Sequence, residues 1–254
     1  MSLTRFALRF AARIPDLLRF ERYLFIGPHP DDIEIGAGAT AARLAAMGKK
    51  VCFLICTDGR YGTDNTDAAG DALIRLRQEE ALRSARMLGV EDVRFLGLSD
   101  GGFYSDEDLL RGIAAVISDF RPDVLLAPDP CVRSECHTDH LRTGQAARRL
   151  AVAAPNGGVM QTLGAGPAPV QAVAFFMTGR PNRFIGTRGY LDVQMKSIFD
   201  CHTSQFPAGC AAGSAIRLYL KLRSLDFGLR SLRGRAEGFR VLGQIHMHCL
   251  PESD

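Results

Sequence analysis

The 254-residue chain has no tryptophan, and no stretch of it approaches the ~20 apolar residues needed to span a bilayer. The first absence decides nothing about function. The second gives no expectation of a transmembrane helix. A strong net charge is also missing. The formal value of +3 is too small to argue for nucleic acid, and no nucleic-acid partner is expected. Seven cysteines are present without a CxxC pair. Their number is odd, and the first twenty residues lack the uninterrupted apolar core of a secretory signal. A reducing, cytoplasmic location is therefore expected. No internal repeat is visible, and no charge run or Ser-rich spacer marks a domain linker.

What is present is ordinary globular material. The hydrophobic fraction is 46%, and the length buries a large core. The expectation is a single domain over 22–254 with a C-terminal extension, preceded by a basic amphipathic segment over 1–21. Positive charge is uneven. Arg5, Arg9, Arg13, Arg19 and Arg22 load one end, and Arg217, Lys221, Arg223, Arg230, Arg233, Arg235 and Arg240 the other. Solvated helix faces explain this more simply than attraction to an acidic glycan, a membrane surface or a partner. Pro15 breaks the first segment, which reads as a short docking helix.

The period of hydrophobicity alternates along the chain. Apolar runs at 23–27, 51–57, 93–96 and 124–127 read as buried strands. Helical periodicity follows each of them, at 36–47, 72–88, 106–119 and 138–152, with Ser105 as a helix cap. This alternation predicts an α/β fold, a Rossmann-like and mostly parallel sheet with helices on both faces. Residues 155–169, rich in Gly, Pro and Ala, read as a long loop near the site mouth. Beyond it, 170–178 reads as a strand, 192–201 and 215–231 as helices, and 239–246 as a final strand. Cys52 and Cys56 lie four apart on one strand and read as core.

Two short strings carry the chemistry. His29-Pro30-Asp31-Asp32 follows the first strand, and His137-Thr138-Asp139-His140 follows the fourth. Together they supply adjacent carboxylates and two or three imidazoles, enough for an open zinc site with a general base beside it. Strand C-termini of an open parallel sheet are where such donors meet. Pro28 and Pro30 stiffen the turn around His29. Of Asp31 and Asp32, one binds metal while the other faces the reacting water, since neighbouring side chains point apart. His137 and His140, three apart, share a face of a helix start. Asp139 between them orients an imidazole without itself binding the metal. Cys131 and Cys136 flank this string, but the His and Asp donors suffice without thiolates.

Both strings resemble the signature motifs of the LmbE/PIG-L family of zinc-dependent deacetylases, which act on N-acetylglucosamine-type sugars and conjugates. The resemblance runs over most of 22–205. It includes Ile33 to Gly38, Arg77-Gln78-Glu79-Glu80, Phe95 to Gly101, Lys196, and His202-Thr203-Ser204-Gln205. It implies His29, Asp32 and His140 as zinc ligands, with a position left for water. It also implies Asp31 as general base, His137 beside the developing oxyanion, and Arg77 and Asp100 as sugar contacts. Some relatives carry a Tyr two residues before His137. This chain has Glu135, so a Tyr role does not carry over, and that edge of the pocket becomes more acidic. The implied substrate is an amino-sugar small molecule or glycoconjugate. Iron or cobalt suits the same donors as zinc. The family is often oligomeric, which leaves a homo-oligomer open.

The implied reaction is hydrolysis of the N-acetyl amide by zinc-activated water with Asp31 as base. An amidase acting on a larger acyl group or a thiol-sugar conjugate is the alternative, and a non-catalytic glycan binder a further one. Gly36-Ala37-Gly38 lacks the third glycine of a dinucleotide loop and reads as helix packing. His202 reads as a packed core residue. His246 and His248, two apart on a predicted strand, read as structural or surface residues.

Overall fold

A computed structural model describes residues 12–65, 67 and 69–248. Seven strands form one sheet: β1 (Arg22–Gly27), β2 (Lys50–Thr57), β3 (Asp92–Leu98), β4 (Val124–Pro128), β5 (Ala172–Phe176), β6 (Arg183–Gly186) and β7 (Ala236–Gly243). Their order is β3-β2-β1-β4-β5-β7-β6. The first five strands run parallel, and β7 runs antiparallel to both β5 and β6. The helices are α1 (Asp32–Ala46), α2 (Asp71–Met87), α3 (Asp106–Phe120), α4 (Thr138–Ala153), α5 (Gly157–Thr162), α6 (Leu191–Phe199) and α7 (Ala211–Ser231).

Parallel strands covered on both faces carry apolar side chains on both. Leu24, Ile26, Cys52, Leu54 and Cys56 point to one face, where Ile113 and Ile117 of α3 and Ala147 and Leu150 of α4 cover them. Tyr23, Phe25 and Phe53 point to the other, against Ala41 and Leu44 of α1 and Ala85 of α2. Both cysteines are therefore core, as their spacing predicts. The sheet reverses its winding between β1 and β4, which opens a crevice at their carboxyl ends. The two signature strings follow those two strands.

Several expectations need correction. Residues 155–169 do not form a long loop at the site mouth. Asn156 caps a short helix, α5, whose Met160 is buried in the core. The segment then bonds to the opposite end of the sheet, where Arg121 donates to Pro167 O and the Gly166 N–H to Ser118 Oγ. The C-terminal region is no appendage, because β7 inserts between β5 and β6 of the main sheet. β6 has no counterpart in the sequence periodicity. The last strand ends at Gly243, and His246 lies on a 3-10 turn with His248 just after it, so the two share no strand face. Residues 1–11 of the basic N-terminal segment lie outside the described residues. The remainder makes one 3-10 turn, Leu17–Arg19, capped by Asp16 and tied down by Tyr23 Oη donating to Leu17 O at 2.6 Å.

α1 begins four residues earlier than its Ala-rich run suggests and kinks at Ala37, whose φ of −154° is not helical. The kink frees backbone groups on either side of it. Glu237 of β7 accepts from the N–H groups of Ala39 (3.2 Å) and Thr40 (2.7 Å). Gln194 of α6 donates to Glu34 O (2.8 Å) and to Glu237 Oε1 (2.9 Å), so one side chain spans the break. Gly36 belongs to this packing, since a Cβ there would collide with the ring of Phe176.

Candidate active site

β1 delivers the chain into the turn Pro28-His29-Pro30, and Asp31 follows with φ +129°. That is a strained conformation for an aspartate, of a kind concentrated at functional sites. Asp32 then opens α1. His29, Asp31 and Asp32 are all buried. On the facing strand, the loop after β4 carries Glu135, and α4 opens with His137 capping the Asp139 N–H through Nδ1.

The two strings meet. His29 Nδ1 lies 3.0 Å from Asp32 Oδ2, and His140 Nε2 lies 3.4 Å from Asp32 Oδ1. One donor atom from each of these three residues falls within 4.8 Å of the others. The far nitrogen of each imidazole is held by carboxylates. His29 Nε2 is 3.1 Å from both Asp100 Oδ1 and Asp139 Oδ2, and His140 Nδ1 is 2.9 Å from Glu135 Oε2. A carboxylate behind each imidazole, with the front nitrogens of both turned to one shared carboxylate, is the arrangement of metal-ligating histidines. Two imidazoles and one carboxylate with an open side also match the donor set of a catalytic divalent ion.

A second grouping, His29, Asp100, His137 and Asp139, is equally compact. The Gly101 N–H already donates to Asp100 Oδ1 (2.7 Å) and Asp139 Oδ2 (2.9 Å), while Asp139 Oδ1 is buried without a partner. In the His29–Asp32–His140 set each imidazole is backed by a carboxylate outside the set. Cys131 and Cys136 join neither grouping among the described residues.

Charge is distributed unequally between the adjacent aspartates. Burial pushes Asp31 up to about 6 against the pull of Arg77, and the charge of Asp32 adds to the rise. Burial opposes ionisation of Asp32 too, but hydrogen bonds from His140 and His29 hold it well below the usual carboxylate range. Neighbouring carboxylates whose environments push them apart are a mark of acid–base assignment. Burial lowers His137, and the charges of His29 and His140 lower it further. His137 is the most open of the three rings, with its centroid 4.6 Å from that of His29 and 4.9 Å from that of His140.

Arg77 does not stand open as a sugar contact. It is buried beneath Asp31 and donates to Asp31 Oδ2 (3.2 Å), Pro30 O (2.9 Å) and Gly59 O (3.1 Å). A Cβ on Gly59 or Gly62 would collide with its guanidinium, so those glycines let the 58–70 loop close over it. Asp100 is also buried, and it divides its oxygens between His29 Nε2 and the Tyr61 N–H. Asp139, completely buried, orients His29 rather than His137, whose Nδ1 is 3.9 Å away. His202 packs in the core with Nε2 3.3 Å from Glu34 Oε1, and Thr203 and Ser204 bind Glu80.

Some residues escape the sequence reading. Glu135 does more than acidify an edge, because it holds His140. Its position five residues before that histidine is the one signal available. Tyr61 and Phe103 form an exposed edge-to-face pair with centroids 5.9 Å apart. The pair sits beside Asp100, and no motif announced it.

The PIG-L family, described as GlcNAc-PI de-N-acetylase, matches residues 24–151. Diacetylchitobiose deacetylase of Thermococcus kodakarensis is 33% identical over 234 residues, covering 91% of this chain and 86% of that protein. The chain belongs to the PIG-L family. Among solved structures, N,N'-diacetylchitobiose deacetylase from Pyrococcus horikoshii superposes on this PIG-L member with a TM-score of 0.86 at 28% identity, over 98% of this chain and 93% of that one. A 1D-myo-inositol 2-acetamido-2-deoxy-alpha-D-glucopyranoside deacetylase of Kineococcus radiotolerans is 32% identical over 64% of this chain, which spans about half (53%) of that longer protein.

Proposed function

We propose that the chain is a metal-dependent hydrolase that removes the N-acetyl group from an N-acetylglucosamine-type unit of a short oligosaccharide or glycoconjugate. The observation that carries this reading is Asp31: strained, buried, held near neutrality and adjacent to the His29–Asp32–His140 donor set. Its relatives named as chitobiose and glucosaminyl-inositol deacetylases support the substrate class.

His29, Asp32 and His140 would hold the ion, and the N/N/O donor set suits zinc. A bound divalent ion supplies Lewis acidity, which polarises an acetyl carbonyl and acidifies water. Asp31 accepts the proton of the attacking water at Oδ1, because Oδ2 is fixed by Arg77. General-base help of this kind contributes about 10²–10⁴-fold. The water oxygen bonds to the acetyl carbon, and the carbon–nitrogen bond breaks. His137, open at the mouth, donates toward the oxyanion. The leaving nitrogen takes its proton from Asp31 or His137, and acetate and a free amine depart.

Asp100 and Arg77 support the site from beneath, Asp100 behind His29 and Arg77 under Asp31. Tyr61 and Phe103, 52% and 72% exposed, offer stacking faces for a pyranose next to Asp100. Among the described residues no helix is long and apolar enough to cross a membrane. The free cysteines Cys52, Cys56, Cys131, Cys136, Cys201 and Cys210 support the cytoplasmic reading. The deciding experiment strips the protein with a chelator, restores zinc, iron or cobalt separately, and measures acetate released from N-acetylglucosamine and N,N'-diacetylchitobiose. Release that depends on the restored ion is expected. No release with any ion rejects the reading, and, in a parallel panel of glucosamines carrying longer N-acyl chains, release only of those larger groups assigns the amidase alternative.

A further inference from the structure

One carboxylate oxygen behind the donor set lacks a partner. Asp139 gives Oδ2 to His29 Nε2 (3.1 Å) and to the Gly101 N–H (2.9 Å), but its Oδ1 is buried without a hydrogen bond. An ionised oxygen left so in the interior costs more than most buried polar groups. Two hydroxyls around it are in the same condition, Tyr104 Oη and Thr143 Oγ1. A carboxylate oxygen only accepts, and each hydroxyl has one proton to donate. One of them therefore supplies what Asp139 is missing.

Their surroundings choose between them. Thr143 lies one turn along α4 from Asp139 and sits beside the Cys56 thiol. Tyr104 comes from the loop after β3, and Arg142 of α4 clamps that loop. Its guanidinium donates to Gly102 O (2.9 Å), Tyr104 O (2.8 Å) and Asp106 Oδ1 (2.7 Å). The same guanidinium covers the Tyr104 ring, 4.0 Å from its centroid. The ring packs against the core under α3 and α4. So the Tyr104 hydroxyl is carried into the interior while its neighbour Phe103 is exposed. Burial, and then the charge of Asp139, keep the phenol protonated, which leaves it a donor. Burial opposes the charge of Asp139 in turn, and hydrogen bonds from His29, the Gly101 N–H and, after them, Tyr104 sustain it.

We infer, given the His29–Asp32–His140 donor set proposed above, that Tyr104 is a positioning residue for His29. Its phenol donates to Asp139 Oδ1, Asp139 fixes His29 Nε2, and His29 Nδ1 is thereby aimed at the ion. A carboxylate behind a ligating imidazole is itself hydrogen-bonded in such sites, which holds the ring in one orientation.

The test measures zinc affinity, by competition with a chelating dye, for wild type, Tyr104→Phe, Thr143→Val, Asp139→Asn and the double variant Tyr104→Phe/Asp139→Asn. Tyr104→Phe keeps the ring beneath Arg142 and removes only the hydroxyl. It should bind zinc about 10-fold more weakly, the low end for loss of such a supporting group. Thr143→Val should stay within about 2-fold of wild type. In the Asp139→Asn background the Tyr104 exchange should cost less than about 2-fold more, because the acceptor charge has gone, whereas independent losses would multiply. A merely structural tyrosine would weaken both backgrounds alike, and thermal melting of the chelator-treated proteins checks that each variant stays folded. Normal zinc affinity in Tyr104→Phe, a loss that multiplies with that of Asp139→Asn, or a loss found in Thr143→Val alone overturns the inference and leaves the donor set standing. A wild type that binds no zinc removes the donor set itself, and the inference with it.

Discussion

Replacing Asp139 by Asn separates the two ways of reading the buried cluster. Asp139 Oδ2 lies 3.1 Å from His29 Nε2 and also accepts from the Gly101 N–H at 2.9 Å. The residue has no exposed surface, so the exchange removes charge and little volume. If Asp139 acts only behind His29, the imidazole keeps Asp100 Oδ1 at 3.1 Å as a second anchor and loses part of its basicity. Removing such a supporting carboxylate costs about 10–100-fold in metal affinity, or roughly 1.4–2.8 kcal/mol. The assay is competition for zinc against a calibrated chelating dye, with acetate release then measured at saturating zinc. Dissociation constants 10–100-fold weaker are expected, with turnover recovered to within a few-fold once the site is filled. Asp32→Asn is the reference for losing a direct ligand. If Asp139→Asn abolishes binding while Asp32→Asn leaves it largely intact, the ion sits in the His29–Asp100–His137–Asp139 group. If affinity does not change, the carboxylate–imidazole argument fails.

Asp31→Asn should bind zinc with near-normal affinity and lose about 10²–10⁴-fold in kcat, and a variant with normal turnover would remove Asp31 from the chemistry. Arg77→Met leaves the buried Asp31 carboxylate without its guanidinium. Denaturant unfolding should show a loss of about 3–5 kcal/mol, and a change under 1 kcal/mol would mean that Arg77 is no structural support. Phe103→Ala should raise KM for N,N'-diacetylchitobiose by roughly 5-fold through loss of about 1 kcal/mol of stacking, while hardly altering N-acetylglucosamine. Equal effects on both sugars would rule out a platform for the second ring.

The parallel half of the molecule is legible because doubly covered strands leave no alternative to continuous apolar runs. Tyr23 to Gly27 and Val51 to Thr57 read as strands for that reason. The meeting of the two strings follows from where those strands end. What escaped depends on tertiary context. β6 is four residues shortly after Pro181, three of them half-buried and only Ile185 buried, too short to carry a period. α5 hides in Gly- and Pro-rich sequence, and only the Asn156 side chain marks its start. The early start of α1 depends on the strained turn at Asp31, which no propensity encodes. The site residues were visible as donors, but their pairings were not. Arg77 reads as one more helix arginine until Gly59 and Gly62 bring a loop down on it. α7 shows the same limit, for its basic amphipathic character is plain in sequence, yet only the fold reveals that Leu218, Leu222, Leu225 and Leu229 face outward.

The bend at Ala37 ties together parts of the chain that the family motifs keep apart. Every proposed metal ligand lies within residues 24–151, so that stretch looks self-sufficient. Yet the half-helix that begins with Asp32 is buckled to its continuation by Glu237 and Gln194, which arrive from the far third of the polypeptide. A fragment cut after residue 151 would keep all its donors and lose the clasp that aims one of them. The last strand to be added to the sheet is thus also the one that fastens the first ligand-bearing turn in place.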